Sequence, residues 1–210
     1  MNAKIASSLD RISQFKGLIF DMDGTLIHSG AVHEQAWRNT LEHFGLPIDP
    51  DFMRRMAGMP TAATLQKILD ELGGESSADV QTMADYREDQ LETLGNDDTS
   101  ATPLIELVRH FAGKLPMAVG TGGQPESAKA LLADCGFEDS FAHVVGASEI
   151  DHPKPAPDTF LRCAELLNVA PEDCAVFEDA ELGLEAARKA GMTPIDVGVE
   201  YGIVFDYFLE

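Results

Sequence analysis

The sequence predicts an α/β fold: a parallel sheet covered by helices on both faces, interrupted once by an inserted helical domain. Three observations lead there. Short apolar runs alternate with longer stretches of helical periodicity. The runs are nearly continuous rather than alternating apolar with polar, as expected for strands buried on both faces. One long segment, about residues 27–99, breaks the alternation and holds no convincing strand.

The first strand is Gly17-Leu18-Ile19-Phe20, which ends at Asp21. Leu115 to Val119 is the second, with Pro116 near its start, where a missing N–H costs least. His143-Val144-Val145 and Cys174-Ala175-Val176-Phe177 follow, and Thr193 to Val197 is a weaker fifth. Helices are expected from Pro103 to Phe111 with Thr102 as N-cap, Pro125 to Cys135, Pro157 to Leu167, and Leu182 to Ala190. Gly136 and Gly191 supply C-terminal stops. Within the insertion, Trp37, Leu41 and Phe44 share one helical face that ends at Gly45. Leu65, Ile68, Leu69 and Leu72 share another, ended by Gly73-Gly74, and Val80 to Leu94 forms a polar, acidic third helix. Gly95 to Ser100 is the return linker, and the segment from Gly198 onward is aromatic and ambiguous.

The 210 residues are 44% hydrophobic, enough for a buried core and too apolar for whole-chain disorder. A net charge of −21 excludes nucleic-acid binding through a broad basic surface. It also repels phosphate esters, so an anionic substrate needs local positive charge from lysine, metal or helix N-termini. Three cysteines, Cys135, Cys163 and Cys174, form no CxxC pair and give no disulfide framework. The N-terminus has no secretory apolar region, and no run reaches membrane-span length. A soluble, cytoplasmic monomer with no membrane or nucleic-acid partner is expected.

Four elements carry chemistry. Asp21-Met22-Asp23-Gly24-Thr25-Leu26 places two carboxylates at the end of an apolar strand, with Gly24 permitting a turn. One carboxylate can attack phosphorus and the other can serve as acid and then base. Thr121 follows Met117 to Gly120, beside the N–H groups of Gly122 and Gly123, where phosphate oxygens can be held. Lys154 stands between Pro153 and Pro155, a restrained ammonium that can neutralise phosphate. Glu178-Asp179 supplies carboxylates at another strand end, an oxygen-rich donor set suited to Mg²⁺. Taken alone, each also reads as ordinary structure: an Asx turn, a capped glycine loop, a surface lysine, a capping acid pair. Together they gain force, because all fall at strand ends or in the loops that follow, where open parallel sheets bind ligands.

These elements, in this order, resemble the haloacid-dehalogenase-like hydrolases. Asp21 to Thr25 matches their DxDGT signature, and Thr121, Lys154 and Glu178-Asp179 match the other motifs. The resemblance implies a Rossmann-like parallel-sheet core, residues 1–26 and 100–210, and a helical cap domain, residues 27–99. Within the superfamily the chain is similar to the beta-phosphoglucomutase-like branch, and to bacterial phosphatases of fructose-1-phosphate and 6-phosphogluconate. Met117 to Gly122, Lys154 to Phe160, Phe177 to Ala180 and His33 to Trp37 carry that similarity.

The resemblance further implies a Mg²⁺-dependent phosphatase acting on a small phosphorylated metabolite. Asp21 is then nucleophile and metal ligand, and Asp23 is acid/base and ligates through its carbonyl. Asp179 is a ligand, and Glu178 is either a ligand or a partner of bound water. Thr121, Gly122 and Lys154 hold the phosphate, while His33 and the cap loop carrying Thr61 face the substrate. Cap closure is expected at linkers near 27–30 and 95–100. The cap loop, Gly58 to Thr64, has no arginine for a second phosphate, and Gln124 stands where a basic residue is common. Both departures favour hydrolysis over the alternative, a mutase passing through a bisphosphate. Ala180 replaces a common serine but removes no expected ligand.

Overall fold

A computed structural model describes residues 2–74, 76–137 and 139–209. The chain forms two compact units, residues 1–28 with 100–205 and residues 29–99 with 206–210.

The first unit is built on a five-stranded parallel sheet. Its strands are β1 (Gly17–Phe20), β4 (Met117–Gly120), β5 (His143–Val145), β6 (Cys174–Glu178) and β7 (Thr193–Asp196), in the order β5-β4-β1-β6-β7. The continuous apolar character of the strands is explained by the two faces. Leu18, Phe20, Val119 and Phe177 pack on one side with Leu107, Val108 and Leu132. Ile19, Ala118 and Val176 pack on the other with Phe160, Cys163, Ala186 and Ala187. Those partners come from α6 (Ile105–Phe111) and α7 (Pro125–Asp134) on the first face, and from α8 (Asp158–Leu167) and α9 (Glu181–Lys189) on the second.

Several boundaries differ from expectation. α6 starts two residues after Pro103, with Leu104 at its N-cap, and the Leu104 N–H still donates at 3.3 Å to Oγ1 of the expected cap, Thr102. Its N–H donates to the Leu26 carbonyl at 2.8 Å and its hydroxyl to the Thr25 carbonyl at 2.7 Å. α8 starts one residue later than expected and ends at Leu167 as expected, with Asn168 in the left-handed conformation at φ 54°. The segment read as strand-free opens with β2 (Ile27–His28), which pairs antiparallel with β3 (Ser100–Ala101), so Ser100 belongs to a strand rather than a linker. Two-residue strands are too short to show alternation in sequence.

Both ends of the chain add elements that the sequence pattern leaves unassigned. α1 (Ala3–Ile12) buries Ile5 and Ile12, and α10 (Val197–Tyr201) buries Val197 and Tyr201 in the same cluster. Arg11 pairs with Glu200 at 2.8 Å, and the Tyr201 hydroxyl meets Ser8 Oγ at 3.2 Å.

The second unit is helical: α2 (Gly30–His43), α3 (Pro50–Arg55), α4 (Thr61–Lys67) running into a π-helical turn at Ile68–Leu72, and α5 (Val80–Leu94). Trp37, Leu41, Phe52, Met53, Leu65, Ile68 and Met83 are among its buried apolar side chains. The aromatic C-terminal segment completes it. Phe208 is fully buried; its N–H donates to Glu34 Oε2 at 2.6 Å, and its carbonyl accepts from Arg54. The Arg38 guanidinium lies 4.9 Å from the centre of the Phe208 ring. A Cβ at Gly30 would stand 2.5 Å from the Asp206 carbonyl oxygen, so α2 begins with the one residue that lets the segment lie against it. No helix among the described residues is long and apolar enough to cross a membrane.

Candidate active site

β1 delivers Asp21 to the carboxyl end of the sheet, where its N–H donates to the Phe177 carbonyl at 2.9 Å. The chain then turns sharply: the Met22 carbonyl accepts from the N–H groups of Thr25, Leu26 and Ile27. Gly24 takes φ +83°, and a Cβ there would sit 2.5 Å from Asp179 Oδ2, so the glycine answers both conformation and crowding. Asp23 is half-buried within this turn.

β6, the neighbour of β1, ends in Glu178, and Asp179 follows. Thr25 donates its hydroxyl to Asp179 Oδ1 at 2.9 Å, so the last residue of the signature turn orients a carboxylate from the next strand. Glu178 is held at both oxygens. Oε1 accepts from the N–H groups of Asp179 and Ala180 at 3.1 and 3.0 Å, and Oε2 accepts from Lys154 Nζ at 2.8 Å. Its side chain fills the space above Gly183, where a Cβ would come within 1.9 Å of Oε2. Sequence reasoning misses Gly183, because a glycine inside a helix carries no signal of what lies over it.

Lys154 is 5% exposed and bridges the two strands, donating also to Asp21 Oδ1 at 2.5 Å. Its ammonium lies 4.8 Å from the centre of the Phe160 ring. Asp21 Oδ2 has no hydrogen bond among the described residues, which leaves a carboxylate oxygen for chemistry. On the other side of β1, Thr121 follows β4. It is buried, donates its N–H to the Val145 carbonyl and accepts at Oγ1 from the Gly123 N–H at 3.1 Å. Gly122 beside it is exposed, with nothing within 4 Å of where a Cβ would stand.

Asp21, Glu178 and Asp179 each present an oxygen within 4.8 Å of the others. Three carboxylates face one ammonium in a buried place, and the electrostatics follow. Burial, then the charge of Glu178, pushes the Asp21 carboxyl well above its usual range against the pull of Lys154. Burial, then Glu178 and Asp21, does the same to Asp179 against the Thr25 hydrogen bond. Burial opposes charge on Lys154, but Asp21 and Glu178 outweigh it and hold the ammonium protonated. The excess of negative charge and the all-oxygen donor set fit a small, hard divalent cation.

The two remaining sequence-predicted residues lie in the helical unit. His33 is in the first turn of α2, and Thr61 opens α4. Both meet Arg87 of α5, a residue that sequence reasoning misses. Arg87 Nη2 lies 2.6 Å from His33 Nδ1, and Nη1 lies 3.3 Å from Thr61 Oγ1. Its one signal in sequence is spacing, four residues after Met83 and three after Ala84 on the buried face of an otherwise acidic helix.

Comparison with known proteins gives the chain's family. Residues 15–191 match the profile of the haloacid dehalogenase-like hydrolase family. The chain is 42% identical to fructose-1-phosphate phosphatase YqaB of Escherichia coli (strain K12) over 184 residues, 88% of this chain and 97% of that one. It is 30% identical to beta-phosphoglucomutase of Bacillus subtilis (strain 168) over 188 residues, 87% of this chain and 83% of that one. The crystal structure of beta-phosphoglucomutase from Clostridium difficile superposes with a TM-score of 0.76 at 26% identity, covering 87% of this chain and 84% of that one. The chain belongs to the haloacid dehalogenase-like hydrolases, in their beta-phosphoglucomutase-like branch.

Proposed function

We propose that the protein is a Mg²⁺-dependent phosphatase of small sugar monophosphates, working through an aspartyl-phosphate at Asp21. The observation that carries this reading is the Asp21–Lys154–Glu178 bridge beside Asp179: a buried carboxylate fixed by one oxygen, flanked by one cation and two further carboxylates. Asp21, Asp179 and the Asp23 carbonyl would hold Mg²⁺, which supplies positive charge against the phosphate oxygens. Glu178, with both oxygens engaged, serves mainly to hold Lys154 in place.

In the first half-reaction an Asp21 oxygen forms a bond to phosphorus while the bond to the leaving oxygen breaks. Asp23 gives that oxygen its proton, and the sugar leaves as the neutral alcohol. Lys154 and the Thr121 hydroxyl, with the N–H of Gly122, hold the phosphoryl oxygens. In the second half-reaction Asp23 takes a proton from water as the water oxygen attacks phosphorus. Inorganic phosphate leaves and Asp21 is restored. The sugar class is supported by the 42% identity to a fructose-1-phosphate phosphatase, and Thr61 in place of a cation favours a single phosphate. A cytoplasmic, monomeric enzyme fits this chemistry.

The test is a panel of phosphorylated sugars with Mg²⁺ and no bisphosphate primer. Phosphate release that stops with chelator, and that Asp21→Asn lowers by about 10⁴-fold or more, supports the reading. Turnover that requires a bisphosphate primer and releases no phosphate overturns it in favour of a mutase.

A further inference from the structure

The segment that carries Lys154 reads Pro153-Lys154-Pro155-Ala156-Pro157, so proline removes the main-chain N–H at every second position. Of the donors that remain, the Ala156 N–H is used inside the segment, on the Pro153 carbonyl at 2.9 Å. Fixed proline rings make such a segment stiff, but with so few donors it has little main-chain means of holding itself against the rest of the fold. Lys154 is nonetheless buried and donates to two carboxylates, Asp21 and Glu178.

The flanking residues supply the anchor. His152 donates its main-chain N–H to Asp158 Oδ2 at 3.2 Å, and its ring Nδ1 lies 3.0 Å from the same oxygen. A carboxylate oxygen only accepts, so Nδ1 carries a proton and donates. The two bonds close the neck of the proline segment. Asp158 is a fixed post for them. It is the first residue of α8, and Thr159 and Phe160 after it are buried. Thr159 packs so closely on the end of β4 that a Cβ at Gly120 would stand 2.9 Å from its Cγ2. The His152 side chain, by contrast, is 75% exposed, so core packing does not account for the place of its ring.

Resting on the phosphatase reading above, we propose that His152 is a positioning residue: with Asp158 it closes the neck of the proline segment and so fixes Lys154 against Asp21 and the phosphoryl group. The histidine touches neither the substrate nor the reacting atoms. Its effect passes through Lys154, at the phosphoryl end of the site, and is therefore independent of the leaving group. The ring acts as a hydrogen-bond donor at the δ position, a part that the amide of asparagine can also play.

The experiment measures kcat/KM with Mg²⁺ for fructose-1-phosphate and for p-nitrophenyl phosphate, whose leaving groups have nothing in common. His152→Ala should lower kcat/KM about 10-fold for both substrates alike, the kind of loss that a slightly misplaced charge produces. His152→Asn should recover most of it. Introduced into Lys154→Met, His152→Ala should cost less than about twofold more, because the ammonium that it positions is gone. The urea midpoint of His152→Ala should stay with that of the wild type, since the ring is exposed. Wild-type kcat/KM in His152→Ala overturns the proposal, as does a loss confined to one substrate. A full further loss in the Lys154→Met background contradicts action through the lysine. Asparagine no better than alanine, with both midpoints lowered, would show a merely structural histidine. Wild-type protein with Mg²⁺ that hydrolyses neither substrate refutes the phosphatase reading and this proposal with it, an outcome distinct from an active wild type and an equally active His152→Ala.

Discussion

In the core unit each polar side chain of the candidate site stands at the end of a strand or in the loop after one. In the helical unit the polar cluster is assembled from helices distant in sequence. Asp21, Thr121 and Glu178 come from adjacent parallel strands whose registers pair Phe20 with Val119 and with Phe177. Once the strands pair, their carboxyl ends lie level and the groups after them converge. Arg87, His33 and Thr61 share no such register and meet only through tertiary packing. Sheet topology places functional groups by rule, whereas a small helical unit places them case by case.

The comparison predicts large losses from small changes at strand ends. Lys154→Met should lower kcat about 10³-fold, since it removes the charge held against Asp21 and, in the proposed mechanism, against the phosphate. It should also destabilise the metal-free protein by about 3–5 kcal/mol in urea unfolding, because buried carboxylates lose their counter-charge. Unchanged stability would mean that the carboxylates do not depend on the lysine. Gly183→Ala is chemically far milder, yet its Cβ would meet Glu178 Oε2 at 1.9 Å. A kcat loss of about 10- to 100-fold is expected as Glu178 shifts and drags Lys154 with it. A crystal structure of that variant with Glu178 and Lys154 unmoved would break the chain of contacts from helix to nucleophile.

Legibility in sequence follows the same division. The apolar runs and the turn at Gly24 are local, so β1, β5 and the signature loop are legible from neighbouring residues alone. The short ribbon of β2 and β3, the late start of α6 and the C-terminal segment depend on partners far away. Phe208 bonds to Glu34 across 174 residues, and nothing in the composition of the tail announces that partner. Thr25 is visible as a signature residue, but its hydrogen bond to Asp179 spans 154 residues and does not follow from the motif alone.

In the helical unit the expected effects fall on stability first. Phe208→Ala should cost about 3–5 kcal/mol, because a fully buried ring is lost. Hydrogen exchange should show the loss as faster opening of α2 and α3, with the sheet strands protected as before. Loss of protection spread evenly over strands and helices would contradict the assignment of the tail to the helical unit. Metal linkage gives the smallest effect. Mg²⁺ at about 100 times its dissociation constant should stabilise the wild type by about 2.7 kcal/mol. Asp179→Asn should show much less at the same concentration, and equal stabilisation of both proteins would remove Asp179 from the ligand set.

The central claim is that Asp21 carries the phosphoryl group during turnover. Rapid mixing of enzyme, Mg²⁺ and a sugar monophosphate, quenched in acid and followed by peptide mass spectrometry, tests it most directly. The account predicts one phosphoryl group on the peptide containing Asp21, formed before free phosphate appears and absent in Asp21→Asn. Phosphate released with no phosphoryl group on that peptide at any time, or an active Asp21→Asn protein, would contradict it.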